Sequence, residues 1–235
     1  MKTLPPSRDN FPRFAIYIAA PKTIQLMFPK KNIITIQHPE SVHHINGMIG
    51  SWTDWELTEK GIRQAENIAI HLKKEIQSRY SAIYASPLKR TQQTAEIIAK
   101  QMNAPIAFKA ELKERSLGKA IGKSIQWLRE NIESEELTIY DRCFSDAESR
   151  FDVWNRLLPF YQEIMSNEKE DIILVSHGDT LSVFNAMWLG LNVEMLNNID
   201  LYGVSGGVSF LYQSISGKRT IKRLSDTSYI LPFRD

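Results

Sequence analysis

Two histidines stand directly after short apolar runs, and their placement is the strongest sign of chemistry in this chain. Ile33-Ile34-Thr35-Ile36 leads into Gln37-His38-Pro39-Glu40-Ser41, and Ile172-Ile173-Leu174-Val175 leads into Ser176-His177-Gly178-Asp179-Thr180. Two more polar segments, Ser86-Pro87-Leu88-Lys89-Arg90-Thr91 and Leu112-Lys113-Glu114-Arg115-Ser116-Leu117-Gly118, add guanidinium groups and a carboxylate. That set suits phosphoryl transfer. A neutral imidazole attacks phosphorus, cations hold the oxygens, and an acid protonates the leaving alcohol.

The elements that must position these groups are legible. Short β-branched runs that stop at polar turns read as buried parallel strands. In open α/β sheets, ligands bind outside the carboxyl ends of such strands, so both imidazoles are expected at one edge of one sheet. Thr58 reads as a helix N-cap, followed by Ile62, Ala65, Ile68, Ala69, Leu72 and Ile76 at helical spacing. Residues 81–85 read as a strand. Ser86-Pro87 opens a helix running to about Met102, with Pro87 at its first position. Ile106-Ala107-Phe108 reads as a third strand. Residues 117–145 read as loop and short helices, a small cap over the site. From Glu148, the spacing of Phe151, Trp154, Leu157, Leu158, Tyr161, Ile164 and Met165 predicts another helix. Leu181 to Leu189 reads as a buried helix ending at Gly190, and Val208–Tyr212 with Thr220–Leu224 as a closing hairpin. The alternation predicts an α/β fold with a mostly parallel central sheet flanked by helices.

Composition bounds the rest. The chain has 235 residues, of which 43% are hydrophobic and 24% charged, enough for one sizeable core. A net charge of +2 gives no reason to expect nucleic acid or a membrane surface as partner. The expected partner is a small phosphorylated substrate; the sequence leaves the oligomeric state open. A single cysteine, Cys143, rules out an intrachain disulfide and reads as a buried thiol. Residues 1–31 form a Pro-rich extension. Its apolar stretch from Phe14 to Ala20 resembles a weak signal segment; a natural start at Met27 is the other reading. The remainder points to a cytoplasmic protein. His43, His44 and Asp54 carry metal-ligating side chains, but adjacent histidines project apart and the spacing matches no standard motif, so no metal or cofactor is expected.

Five segments together carry a resemblance. Ser51-Trp52-Thr53-Asp54-Trp55-Glu56-Leu57-Thr58-Glu59-Lys60-Gly61, Ser86-Pro87-Leu88-Lys89-Arg90-Thr91-Gln92-Gln93-Thr94-Ala95, the two histidine segments and the ending Leu224-Ser225-Asp226-Thr227-Ser228-Tyr229 resemble the histidine phosphatase superfamily, the phosphoglycerate mutase-like proteins. The resemblance runs from about Asn32 to the end. It implies a three-layer sandwich over residues 32–235 with a small cap at about 117–147. It also implies His38 as the nucleophile that becomes phosphohistidine, Arg90 as phosphoryl ligand, and His177 as a hydrogen-bond donor to the transferring group. Glu114 would be the general acid and then the base, with neighbouring Glu111 as the alternative; Gly178 is expected among the substrate-binding residues, with Gln37, His44, Arg90 and Arg115.

The departures matter too. The family's first motif reads Arg-His-Gly, where this chain has Gln37-His38-Pro39. Gln37 can donate hydrogen bonds but brings no charge, an expected loss of one or two decades in rate at roughly 1–2 kcal/mol. His44 occupies the place of a phosphate-contacting Asn. Protonated His44, or Arg115, is one expected source of the missing charge; the other reading has His43 and His44 merely capping the loop. The sequence therefore supports a metal-independent phosphatase first. Only about sixty residues separate Glu114 from His177, too few for a large cap. A mutase, or a protein that binds a phosphorylated ligand without turnover, are the rivals. Trp52, Trp55 and Trp127 are candidates for an apolar wall.

Overall fold

The computed structural model describes residues 16–18, 25–27, 30–76, 82–167 and 169–232. Strands β1 (Ile16–Ile18) and β2 (Gln25–Met27) pair antiparallel as a separate hairpin. The remaining strands form one six-stranded sheet: β3 (Lys31–Gln37), β4 (Ala82–Ala85), β5 (Ile106–Phe108), β6 (Asp171–Ser176), β7 (Val208–Gln213) and β8 (Arg219–Asp226), in the order β5-β4-β6-β3-β7-β8. The pairings β5–β4, β4–β6 and β6–β3 are parallel, whereas β7 runs against both β3 and β8. The expected α/β sheet is therefore present, and the reading of 208–224 as a hairpin holds.

Both faces of the sheet are covered, which is why its central strands read as unbroken apolar runs. On one face Ile34, Ile36, Ile83, Ile173 and Val175 pack against α1 (Glu59–Glu75) and α2 (Lys89–Met102). On the other, Ile33, Ile172 and Leu174 pack against α4 (Arg150–Ser166) and α5 (Gly178–Leu189). The segment with α3 (Ile125–Asn131) adds a separate small core that joins Ile49, Ala120, Cys143, Phe144 and Ala147. Trp127 stacks on Phe144 in that core, so it is cap packing and not a ligand wall.

Some boundaries move. Lys31, assigned to the extension, opens β3; it is fully buried, and its Nζ donates to the carbonyls of Asn167 (2.6 Å) and Lys169 (2.7 Å). The reading of residues 1–31 as an extension with a signal-like stretch from Phe14 to Ala20 falls largely outside the described residues. Helix α2 begins at Lys89 with Leu88 as its N-cap, two residues later than Pro87 suggested. Ile62 is exposed, because the start of α1 is held instead by Gly61. A Cβ there would lie 1.9 Å from the Glu40 carbonyl oxygen, so only glycine lets α1 abut the loop that follows His38. Thr58 caps α1 as expected, its Oγ1 accepting from the Gly61 N–H.

Ser51 is a strained point that bears on the site. Its φ of +35° lies in the left-handed region, a conformation that costs a non-glycine residue roughly 1–2 kcal/mol. Its hydroxyl offsets this by donating to the Arg115 carbonyl and accepting from the Leu117 N–H, both at 2.9 Å. Ser51→Ala keeps the strain and loses both bonds. We expect it to lower unfolding free energy by about 2 kcal/mol in urea titrations.

Candidate active site

The parallel strands deliver their carboxyl ends to one place. His38 follows β3, and its backbone N–H donates to the Ser176 carbonyl at the end of β6. His177 is the N-cap of α5, directly after β6. The two rings meet edge to face with centroids 5.1 Å apart. Both are buried, at 3% and 0% exposure. The shared sheet edge expected from sequence therefore exists.

Hydrogen bonding fixes the tautomer of His38. Its Nδ1 lies 2.8 Å from the Pro39 carbonyl, an acceptor, so Nδ1 carries the proton and Nε2 the lone pair. Arg90 Nε donates to that Nε2 at 3.1 Å. Burial first, then the neighbouring Arg90 charge, holds the His38 pKa well below the usual imidazole range. The ring is neutral and nucleophilic at physiological pH.

Arg90 comes from the first turn of α2 and is 1% exposed. Its other nitrogens are aimed by backbone carbonyls, Nη1 donating to Thr53 (2.7 Å) and Nη2 to Ser51 (2.8 Å). The strained Ser51 turn thus orients the guanidinium. Burial lowers the Arg90 pKa to about 10, so it stays charged at neutral pH.

His177 Nε2 lies 2.8 Å from Ser86 Oγ, and Ser86 Oγ also accepts from the Leu88 N–H. The hydroxyl proton is then free to go to Nε2, which leaves Nδ1–H as a buried donor with no partner among the described residues. Such a group fits an anion held between the rings. Ser86 therefore positions His177, a role the sequence did not reveal. Ser86→Ala is expected to reduce kcat about tenfold, the value of one hydrogen bond, and to shift the His177 tautomer in nitrogen NMR spectra; unchanged spectra would remove Ser86 from the site.

Glu114 sits on the loop between β5 and α3. Its Oε1 accepts from the Arg115 N–H (2.9 Å) and from the Thr180 N–H (3.3 Å) in the first turn of α5. Arg156 Nη1 grips the Glu111 and Lys113 carbonyls, and Trp52 Nε1 the Glu114 carbonyl, so the segment is braced from both sides. Burial, then the nearby Asp179 charge, raises the Glu114 pKa to about 7. That value suits a group that gives a proton and later takes one. Glu111 differs: its backbone carbonyl is the Arg156 anchor.

Three expectations need correction. Protonated His44 does not supply charge: its Nδ1 accepts from the Ser41 N–H at 3.1 Å, and burial and Arg90 lower its pKa. Arg115 is already neutralised, bonded to Asp179 Oδ2 at 2.9 Å and to Glu136. Gln37, whose buried Oε1 has no hydrogen-bond partner among the described residues, lines a cavity of about 10 Å³ with Thr35 and Asn185, and neither His38, Arg90 nor His177 lines that cavity. It has room for roughly one water. Arg90 is the cation hydrogen-bonded to the His38 imidazole, and its charge also acts on His177. Helix α5 begins at Gly178, three residues before the Leu181 start expected from sequence, and a Cβ on Gly178 would come within 2.6 Å of the Tyr202 ring. Tyr202, which the sequence gave no reason to single out, therefore roofs the N-terminus of α5.

The model of the histidine phosphatase superfamily (branch 1) matches residues 33–227. The chain belongs to that superfamily. Among its relatives is a 2,3-bisphosphoglycerate-dependent phosphoglycerate mutase of Bartonella bacilliformis, 27% identical over 78% of this chain and 92% of that one. Another is a putative phosphoserine phosphatase 2 of Hydrogenobacter thermophilus, 25% identical over 73% and 85%. A solved phosphoserine phosphatase of Entamoeba histolytica, in complex with 3-phosphoglyceric acid, superposes with a TM-score of 0.69 at 25% identity, covering 86% of this chain and 100% of that one. Superfamily membership makes phosphoryl transfer or hydrolysis the chemistry to be explained. Among the described residues no helix is long and apolar enough to cross a membrane.

Proposed function

We propose that this member of the superfamily hydrolyses phosphomonoesters through a phosphohistidine. The observation that carries the reading is the neutral, tautomer-fixed His38 with its Nε2 lone pair beside the Arg90 guanidinium. The Nε2 lone pair forms a bond to phosphorus while the ester P–O bond breaks. Glu114 gives its proton to the departing alcohol. Arg90 and His177 Nδ1–H take up the charge developing on the phosphoryl oxygens. Water then attacks phosphorus, Glu114 accepts its proton, and the P–N bond breaks to release phosphate and neutral His38.

One observation favours hydrolysis over mutase activity: Arg115, a basic side chain near Glu114, is held by two carboxylates and is not free for a second phosphoryl group. The mutase reading keeps the support of the mutase relatives. A phosphomonoester panel run beside a phosphoglycerate mutase assay tests this. Release of phosphate without phosphoglycerate interconversion is expected, and the reverse result would overturn the hydrolase reading. We place the reaction in the cytoplasm, in keeping with the lone buried thiol Cys143.

A further inference from the structure

A leaving alcohol must meet Glu114, so the groups that flank Glu114 decide which alcohols fit. Glu114 Oε1 accepts from the Thr180 N–H, which sets the carboxyl against the first turn of α5. Asp179 stands in that same turn, and its Oδ2 accepts from Arg115 Nε at 2.9 Å. From another side, Glu136 Oε1 accepts from Nη1 of the same guanidinium. The Arg115 side chain is 15% exposed, against 28% for each of its two carboxylates. The acids are therefore more open to a ligand than the cation between them.

A guanidinium fork matches a carboxylate, so an arginine beside a phosphoryl site ordinarily recruits a second anion from the ligand. Here protein carboxylates already hold Nε and Nη1 of Arg115, and the trio is net negative. Tyr202, which packs on Gly178, reports the same balance. Burial first, then Glu114, Asp179 and Asp200, push its phenol pKa up to about 12, against the opposing charge of Arg115. Nor is Glu136 a loose surface acid, because the turn that carries it is braced. The Leu137 and Thr138 N–H groups donate to Asp141 Oδ2 at 3.0 and 2.7 Å, and the Ile139 N–H to Asn197 Oδ1 at 2.8 Å. Ile139 is 2% exposed and joins the core formed with α4 and α5.

We propose that Glu136 is a specificity determinant. It is a tethered anion that fills the Arg115 Nη1 position a carboxylate on the leaving alcohol would need, and with Asp179 it makes the leaving-group side acidic. The site takes phosphomonoesters of uncharged or amine-bearing alcohols and rejects those with a carboxylate beside the ester. This rests on the hydrolase reading and adds to it the class of alcohol.

Three two-carbon esters separate charge from shape: ethyl phosphate, phosphoethanolamine and phosphoglycolate are neutral, cationic and anionic beyond the phosphoryl group. Their affinities are measured by calorimetry on His38→Ala, which lacks the nucleophile, and their kcat/KM on the chain with His38 intact. Phosphoglycolate should be at least about tenfold poorer than ethyl phosphate in both, the scale of one charge-assisted hydrogen bond. Phosphoethanolamine should be no poorer than ethyl phosphate. Adding Glu136→Gln should raise the phosphoglycolate-to-ethyl phosphate ratio at least about tenfold in both. The ratio cancels any general loss of folded protein in the variant. Phosphoglycolate as good as ethyl phosphate in the wild type overturns the proposal, and so does a ratio that Glu136→Gln leaves unmoved. Phosphate release from ethyl phosphate would leave the hydrolase reading standing in either case. Binding with the expected ratios but no phosphate release from any ester upholds the selectivity and overturns hydrolysis. Failure of all three esters to bind overturns both.

Discussion

His38→Ala should abolish acid-labile phosphate on the protein and reduce phosphate release on the order of 10⁴-fold or more, the scale at which covalent catalysis fails without its nucleophile. The fold should survive. The His38 backbone bond to Ser176 persists, and Arg90 keeps two carbonyl acceptors after losing the imidazole. Circular dichroism controls for this. Quenching the wild type in acid or in base after brief exposure to substrate gives the direct measurement: the label should survive base and vanish in acid. Turnover retained by His38→Ala would show that the ring does not take the phosphoryl group, and the hydrolase mechanism written above would be wrong.

The second large effect is in the pH profile. A general acid must hold its proton, and the Glu114 pKa is raised to about 7 by burial and by Asp179. Its proton is present below that pH and lost above it. His38 stays neutral across the same range, because its pKa is depressed. Accordingly kcat/KM, which reports the phosphorylation step, should fall about tenfold per pH unit above 7. Glu114→Gln should lose 10²–10⁴-fold (roughly) and flatten that limb. The substrate's own ionisation affects both proteins alike, so the difference isolates Glu114. The same substitution should raise stability. Between the ordinary 4.5 and about 7 the folded chain holds a proton that the unfolded chain has released, so this carboxyl costs stability as pH rises. Glu114→Gln removes that cost and should melt higher than wild type at pH 8. A variant that is both inactive and less stable there would show that Glu114 is mainly structural.

Much of this was legible in the chain because buried parallel strands and their terminal loops follow local rules. The runs before His38 and His177 are apolar on both faces, and nothing but a covered sheet would use them. The remainder depended on contacts across long separations. No local signal says that the Ser51 and Thr53 carbonyls aim Arg90, or that Ser86 sets the tautomer of His177, although both serines lie inside the matched segments. Arg115 looked available because its neutralising partners, Asp179 and Glu136, are 64 and 21 residues away. His44 looked protonatable because its role as an acceptor is set by the backbone of a 3₁₀ turn.

The two outermost strands have a further consequence. An open sheet offers its borders to any passing chain, and ordered polymers grow from such borders. Here one border is β5, only three residues long, and the other is β8, which carries Arg219, Lys222 and Arg223 along its length. A second copy approaching either side meets too short a ladder or a strand studded with charged side chains, of which Arg223 is paired with Glu75 and Asp226. Concentrated solutions of this protein should therefore resist fibril growth, and replacing Lys222 with an apolar residue is the change that would most directly weaken that resistance.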